Sequence, residues 1–111
     1  MNIDTLKKEI EKEKNWLINV RRDFHKHPEL GQEEYRTMEK ISEYLKEMKI
    51  PYKDKVFKTG IIAEIIGEDR NYTIALRADI DALPIVDKKN VSYASINEGK
   101  CHACGHDAHT T

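Results

Sequence analysis

The apolar residues of this chain change their spacing at Pro51, and that switch constrains the fold more than any other feature. Leu6, Ile10, Leu17, Val20 and Phe24 recur at separations of three, four or seven, the repeat of a helix with one buried face. They predict a helix over 4–26. Asp4 is the expected N-cap. Pro28 is the expected stop, because the residue before a proline is pushed out of the α region. His27-Pro28-Glu29-Leu30-Gly31 then forms a turn. Met38, Ile41, Leu45 and Met48 predict a second helix over about 33–49, closed by Pro51. Beyond Pro51, residues 52–57, 61–66 and 72–78 are short runs rich in β-branched or aromatic residues, which read as strands. Lys58-Thr59-Gly60 suits a tight hairpin connection and 67–71 a looser one. The nearly continuous apolar run 61–66 reads as a strand covered on both faces. Two helices followed by strands predict an α/β layer fold.

The 111 residues fit one domain at most. With 39% hydrophobic and 35% charged residues the chain is globular in character, since enough apolar surface exists to offset chain entropy. A formal net charge of −1 gives no electrostatic drive onto nucleic acid or anionic lipid, so neither is expected as a partner. No apolar run is long enough to span a membrane, and the first residues do not resemble a secretory signal. The expected location is therefore the cytoplasm. In that compartment Cys101 and Cys104 point to metal binding or redox chemistry rather than a structural disulfide.

The chemistry concentrates at the end. Residues 101–109 hold two thiols, three imidazoles and a carboxylate, the side chains that bind zinc and similar divalent ions. Cys104 and His106 lie two apart, so in an extended segment both face the same side, and Gly105 lets the backbone bend between them. Asp107 suits either a helix cap or a group that orients a ligand. A second constellation, Leu76-Arg77-Ala78-Asp79-Ile80-Asp81-Ala82-Leu83-Pro84, places two aspartates at the end of a predicted buried strand. That is where α/β enzymes put ligands and catalysts, although aspartates before a proline are also turn formers. A third, residues 22–34, carries His25 and His27. At a helix end such histidines more often bond the last carbonyls than a metal.

Together these segments resemble a family of amidohydrolases. It includes hippurate hydrolases, indole-acetyl-amino-acid hydrolases, N-acetyl-diaminopimelate deacetylases and aminoacylase-like metallopeptidases. Arg22 to Glu34 is similar to that family's "H-x-x-PEL-x-x-E" signature, Thr59-Gly60-Ile61 to its "TG-hydrophobic" strand start, Ala75 to Pro84 to "ALRADMDALP", and His102 to Thr110 to "HACGHDAHT". The resemblance implies that residues 1–111 are the N-terminal portion of a zinc-peptidase-like catalytic domain, truncated, with two helices followed by strands of a mixed sheet. It implies that Cys104 and His106 are metal ligands. Asp81 then supports catalysis by orienting a ligand, and Asp107 stands behind the site. Two divalent ions (zinc, manganese, cobalt or nickel) are expected in the complete enzyme. The substrate would be a small N-acyl amino acid, and a lid-like domain absent here would mediate homodimerisation. Cys101 departs from the family pattern, which usually has an apolar residue there.

In the family, a glutamate of a later "Glu-Glu" pair takes the proton of the attacking water, and further ligands also come later. The chain alone is therefore expected to be inactive and marginally stable. Two other readings fit the residues. One is a small non-catalytic zinc module that uses Cys101, Cys104 and two histidines. The other is a thiol oxidoreductase built on Cys101-His102-Ala103-Cys104, which requires a depressed thiol pKa.

Overall fold

The computed structural model describes residues 1–111. In chain order the elements are α1 (Ile3–Lys26), α2 (Tyr35–Glu47), β1 (Tyr52–Val56), β2 (Gly60–Ala63) and α3 (His106–Thr110). The α/β class expected from the spacing switch is present.

Helix α1 starts earlier than the sequence suggested. Its cap is Asn2, whose Oδ1 accepts from the Thr5 N–H at 2.8 Å and the Thr5 hydroxyl at 2.9 Å. Asp4 instead lies in the first turn, where its charge complements the helix dipole. The predicted apolar stripe divides in two. Val20 and Phe24 are buried and Leu17 is half-buried, whereas Leu6 and Ile10 are about half exposed. Trp16 meets Tyr44 of α2 edge to face, with ring centroids 5.5 Å apart.

Helix α2 begins at Tyr35 and ends at Glu47, two residues inside the expected range at each end. Glu34, its N-cap residue, makes no side-chain cap bond. Glu29 does this from a distance: Oε2 accepts from the Arg36 N–H at 3.0 Å, and Oε1 accepts from the Thr37 N–H at 2.6 Å and the Thr37 hydroxyl at 2.7 Å. Two free amide donors of the first turn are thereby satisfied. The helix closes with the Ile50 N–H on the Leu45 carbonyl and the Lys49 N–H on the Lys46 carbonyl, a Schellman ending with Lys49 in the left-handed region at φ 57.

Glu34 serves the next element. Its Oε2 accepts from the Thr59 hydroxyl at 2.6 Å, and both residues are buried. This bond pins the β1–β2 turn to the start of α2. The hairpin is antiparallel, with Tyr52 opposite Ala63 and Val56 opposite Gly60, and it is bulged between Lys53 and Val56. Gly60 is required where it stands, because a Cβ there would sit 2.6 Å from the Val56 carbonyl oxygen.

The mixed sheet does not form within these residues, and two predicted strands need correction. Residues 72–78 are not a strand, and Ile62, Ile65 and Ile66 of the run read as doubly covered are exposed. A strand satisfies its amides and carbonyls only through a neighbour, and no segment of the 111 residues pairs with 64–66 or 72–78 as a strand. Tyr72, Ile74 and Leu76 accordingly stand 82%, 86% and 94% exposed.

The chain from Asp79 onward is irregular but stitched to the end of α1. The Ala82 N–H donates to the Glu29 carbonyl at 2.7 Å, the Ile96 N–H to that of Lys26 at 3.0 Å, and the Asn97 side-chain amide to that of Pro28 at 2.9 Å. Leu83 and Cys101 exchange two backbone bonds of 3.0 Å each. No helix is long and apolar enough to cross a membrane.

The capping role of Glu29 gives a stability prediction. Glu29→Ala strands two amides and a buried hydroxyl, so urea unfolding of the 111-residue chain is expected to show a loss of about 1–3 kcal/mol. An unchanged midpoint would contradict the capping role.

Candidate metal centre

Gly105, at φ 119, turns the chain from the Cys104 segment into α3. That backbone conformation favours glycine, so the bend expected between Cys104 and His106 is built in. Gly105, not Asp107, is the N-cap residue. Cys104 is exposed. His106 is the first residue of α3, and its Nδ1 lies 2.9 Å from Asp81 Oδ1 and 3.0 Å from the Asp81 carbonyl oxygen. Both neighbours are acceptors, so Nδ1 carries the proton and the Nε2 lone pair is left free. The Asp79 carboxylate stands 3.9 Å from Nε2. The Asp79 backbone carbonyl accepts from the Thr110 hydroxyl at 3.0 Å, which ties the far end of α3 to the same segment. The structure thus joins the "RADIDALP" and "CGHD" segments. Arg77 hydrogen-bonds Asp79 and holds its carboxyl below the ordinary value. Asp79 therefore stays ionised at neutral pH.

Asp107 faces the other way. It is 1% exposed, and its Oδ2 accepts from His25 Nδ1 at 2.7 Å and Arg21 Nε at 2.8 Å. Its Oδ1 lies 2.9 Å from the Ala108 N–H. The residue read as a helix cap is a buried anchor that fastens α3 to α1. Sequence reasoning missed its partners, although a signal existed. Leu17, Val20, Arg21, Phe24 and His25 follow the i, i+3, i+4, i+7, i+8 rule for a buried helix face, which places Arg21 and His25 on the core stripe. His27 behaves as expected, its Nδ1 reaching the Asp23 carbonyl at 2.8 Å.

His102 is also buried, and neither ring nitrogen has a hydrogen-bond partner. Burial pushes its pKa below the usual histidine value, with Asp107 opposing, so the ring is neutral at neutral pH. A cavity of about 450 Å³ opens beside Leu17, Arg22 and Tyr93 and touches none of Cys104, His106, Asp79 or Asp81.

The rival readings lose ground here. Cys101 is buried and Cys104 exposed, and the two do not share a ligand cluster with histidines. The Cys101 thiol is raised above its ordinary value, first by burial, the reverse of what a thiol oxidoreductase needs. The potential donors here are His106 Nε2 and the carboxylates of Asp79 and Asp81, with the exposed Cys104 thiol two residues before His106. That mixed set suits zinc and related divalent ions.

Known proteins resemble this chain in sequence and in fold. The family model Peptidase family M20/M25/M40 matches residues 75–111. An N-acetyl-L-cysteine deacetylase of Bacillus subtilis is 47% identical over 110 residues, covering 99% of this chain and 25% of its own length. A second Bacillus subtilis protein, an N-acetylcysteine deacetylase, is 53% identical over 95 residues, covering 85% of this chain and 25% of its own length. Among solved structures, a dinuclear metal-binding peptidase of the M20 family from Bacillus subtilis superposes with a TM-score of 0.82 at 52% identity, over 86% of this chain and 27% of that one. A candidate aminohydrolase from methicillin-resistant Staphylococcus aureus gives a TM-score of 0.91 at 39% identity, over 96% and 28%. The chain is similar to M20 metallopeptidases and amidohydrolases in both sequence and fold. It spans about a quarter of the length of the curated relatives it matches.

Asp81→Ala removes the charged one of the two acceptors on His106 Nδ1 and leaves only the backbone carbonyl. Zinc titration followed by a chelating dye is expected to show affinity lower by roughly 10–100-fold, with Asp81→Asn intermediate. Equal affinity in all three proteins would contradict the orienting role.

Proposed function

We propose that this chain supplies the first metal-binding segment of a metal-dependent amidohydrolase acting on N-acyl amino acids. The supporting observation is the 2.9 Å approach of Asp81 to His106 Nδ1, which leaves Nε2 bare. In this reading Cys104 Sγ and His106 Nε2 hold a divalent cation. A bound ion of this kind acidifies a water and polarises the amide carbonyl. Asp81 keeps His106 in the binding tautomer and raises its basicity. Asp107 fixes the helix that carries His106, and Gly105 sets the angle between the two ligands. The overall reaction consumes one water and yields a carboxylate and a free amine. The relatives named as deacetylases of N-acetylcysteine point to small acyl groups on amino acids as the substrate class.

The general base is not among residues 99–111, which contain no glutamate. Of the adjacent glutamates 33 and 34, Glu34 is buried on Thr59 and so is committed to the hairpin. The purified 111-residue chain is therefore expected to show no turnover of N-acetylcysteine with zinc or manganese. A longer polypeptide carrying this segment is expected to hydrolyse it. That activity should be abolished by a chelator and lowered about a hundredfold or more by His106→Ala. Chelator-sensitive turnover by the 111 residues alone, or full activity after His106→Ala, would overturn the proposal.

A further inference from the structure

A second group of ligand atoms lies apart from the centre described above. His25, Asp87 and Cys101 each offer one atom, and the three lie within 4.8 Å of one another. It is the only place in the chain where three such atoms come so close. The two sulfur-containing halves of the terminal cluster are therefore separated: Cys104 goes with His106, and Cys101 with residues from α1 and the loop after Pro84.

The His25 ring is awkwardly placed for a protein without a cation there. Its Nδ1 is committed to Asp107 Oδ2 at 2.7 Å. Its Nε2 is buried and has no hydrogen-bond partner, yet Asp87 Oδ2 stands only 3.4 Å away. The pair is close but not aligned as an N–H donor on an acceptor. A buried nitrogen without a hydrogen-bond partner is costly, and so is a buried carboxylate oxygen held against it without a bond. A cation between the two atoms removes both problems. Bonds of roughly 2.0–2.1 Å to a tetrahedral ion place two such ligand atoms roughly 3.3–3.4 Å apart, which matches the spacing found.

Asp87 and Cys101 complete the set. The Asp87 side chain is 2% exposed and Cys101 is 4% exposed. Asp87 is held ionised by the Lys89 ammonium at 2.6 Å and by the Ser95 N–H at 2.9 Å. Lys89 Nζ also lies 3.8 Å from Cys101 Sγ. A positive charge thus already sits against two of the three ligands, on a side chain that is 46% exposed and free to swing outward.

We propose that His25 Nε2, Asp87 Oδ2 and Cys101 Sγ form a second, structural site for a borderline-soft divalent cation such as zinc, closed by one water. Binding exchanges the Cys101 thiol proton for a sulfur–metal bond and releases that proton to solvent. The thiolate and the Asp87 carboxylate balance the two charges of the ion, so the Lys89 ammonium is displaced. The site shares no ligand with the Cys104–His106 centre. It would lock the end of α1 to residues 87–101, the segment that leads into Cys104. Cys101 is also the residue that departs from the pattern of the family the chain resembles.

Cobalt(II) tests the assignment, because a thiolate ligand adds sulfur-to-cobalt charge-transfer absorption in the near ultraviolet. In the Cys104→Ser protein, Cys101 is the only thiol. One equivalent of cobalt is expected to produce that absorption. Adding His25→Gln is expected to weaken binding tenfold or more, whereas adding Lys89→Met removes a competing positive charge and should tighten it about tenfold. Lys89 is partly exposed, so this last variant reports on the site even where a core substitution fails to fold. Absence of the absorption in Cys104→Ser overturns the proposal. So does absorption whose affinity is indifferent to Lys89→Met.

Discussion

A single buried carboxylate organises this molecule. Asp107 accepts from Arg21 and His25 on α1 and carries α3 with it. Desolvating an isolated carboxylate is prohibitive unless charged or strong donors replace water, so burying Asp107 depends on both partners being in place. Once they are, the register between α1 and α3 is fixed, and with it the positions of Gly105 and His106 one or two residues away. The Asp81–His106 bond then sets the tautomer. The geometry of the metal centre therefore rests on a contact between residues 82 apart in sequence. The ligand segment itself has little regular structure to hold it.

Glutamates 29 and 34 play the same part for the middle of the chain. Each turns its carboxylate onto backbone or hydroxyl donors of a neighbouring element, Glu29 onto the first turn of α2 and Glu34 onto Thr59. The glutamate of the "PEL" segment and the Glu34 that follows the signature are thereby explained without assigning either any chemistry. They join two helices and a hairpin whose buried apolar contacts are few, Val20, Phe24 and Met38 being the main buried hydrophobic side chains of α1 and α2. Polar fastening compensates for a small core.

What could be read from the sequence follows from how local each signal is. Helices are governed by neighbours three or four residues away, so α1 and α2 were legible to within two residues, and the hairpin turn at Thr59-Gly60 likewise. The strand expected over 72–78 was not realised, because β-propensity only forms structure when a partner strand supplies hydrogen bonds, and that partner is not encoded in the local pattern. Asp107 could not be resolved between a helix cap and a group that orients a ligand, and its role as anchor was missed because its partners lie far upstream. That Asp81 would orient some ligand was expected only from family resemblance, and its pairing with His106 was not foreseen, as nothing in the spacing of the two segments requires it. His25 was taken for a helix-end histidine, whereas its place on the buried stripe of α1 marks it as a core residue.

The account stands or falls on where a divalent ion lies. Crystals of the protein grown with zinc, measured at the zinc absorption edge, locate it directly. The predicted result is an anomalous peak roughly 2.3 Å from Cys104 Sγ and roughly 2.0 Å from His106 Nε2, with Nδ1 still on Asp81. A fully occupied metal elsewhere with none at this pair, or bound through Nδ1 with Asp81 displaced, would contradict it.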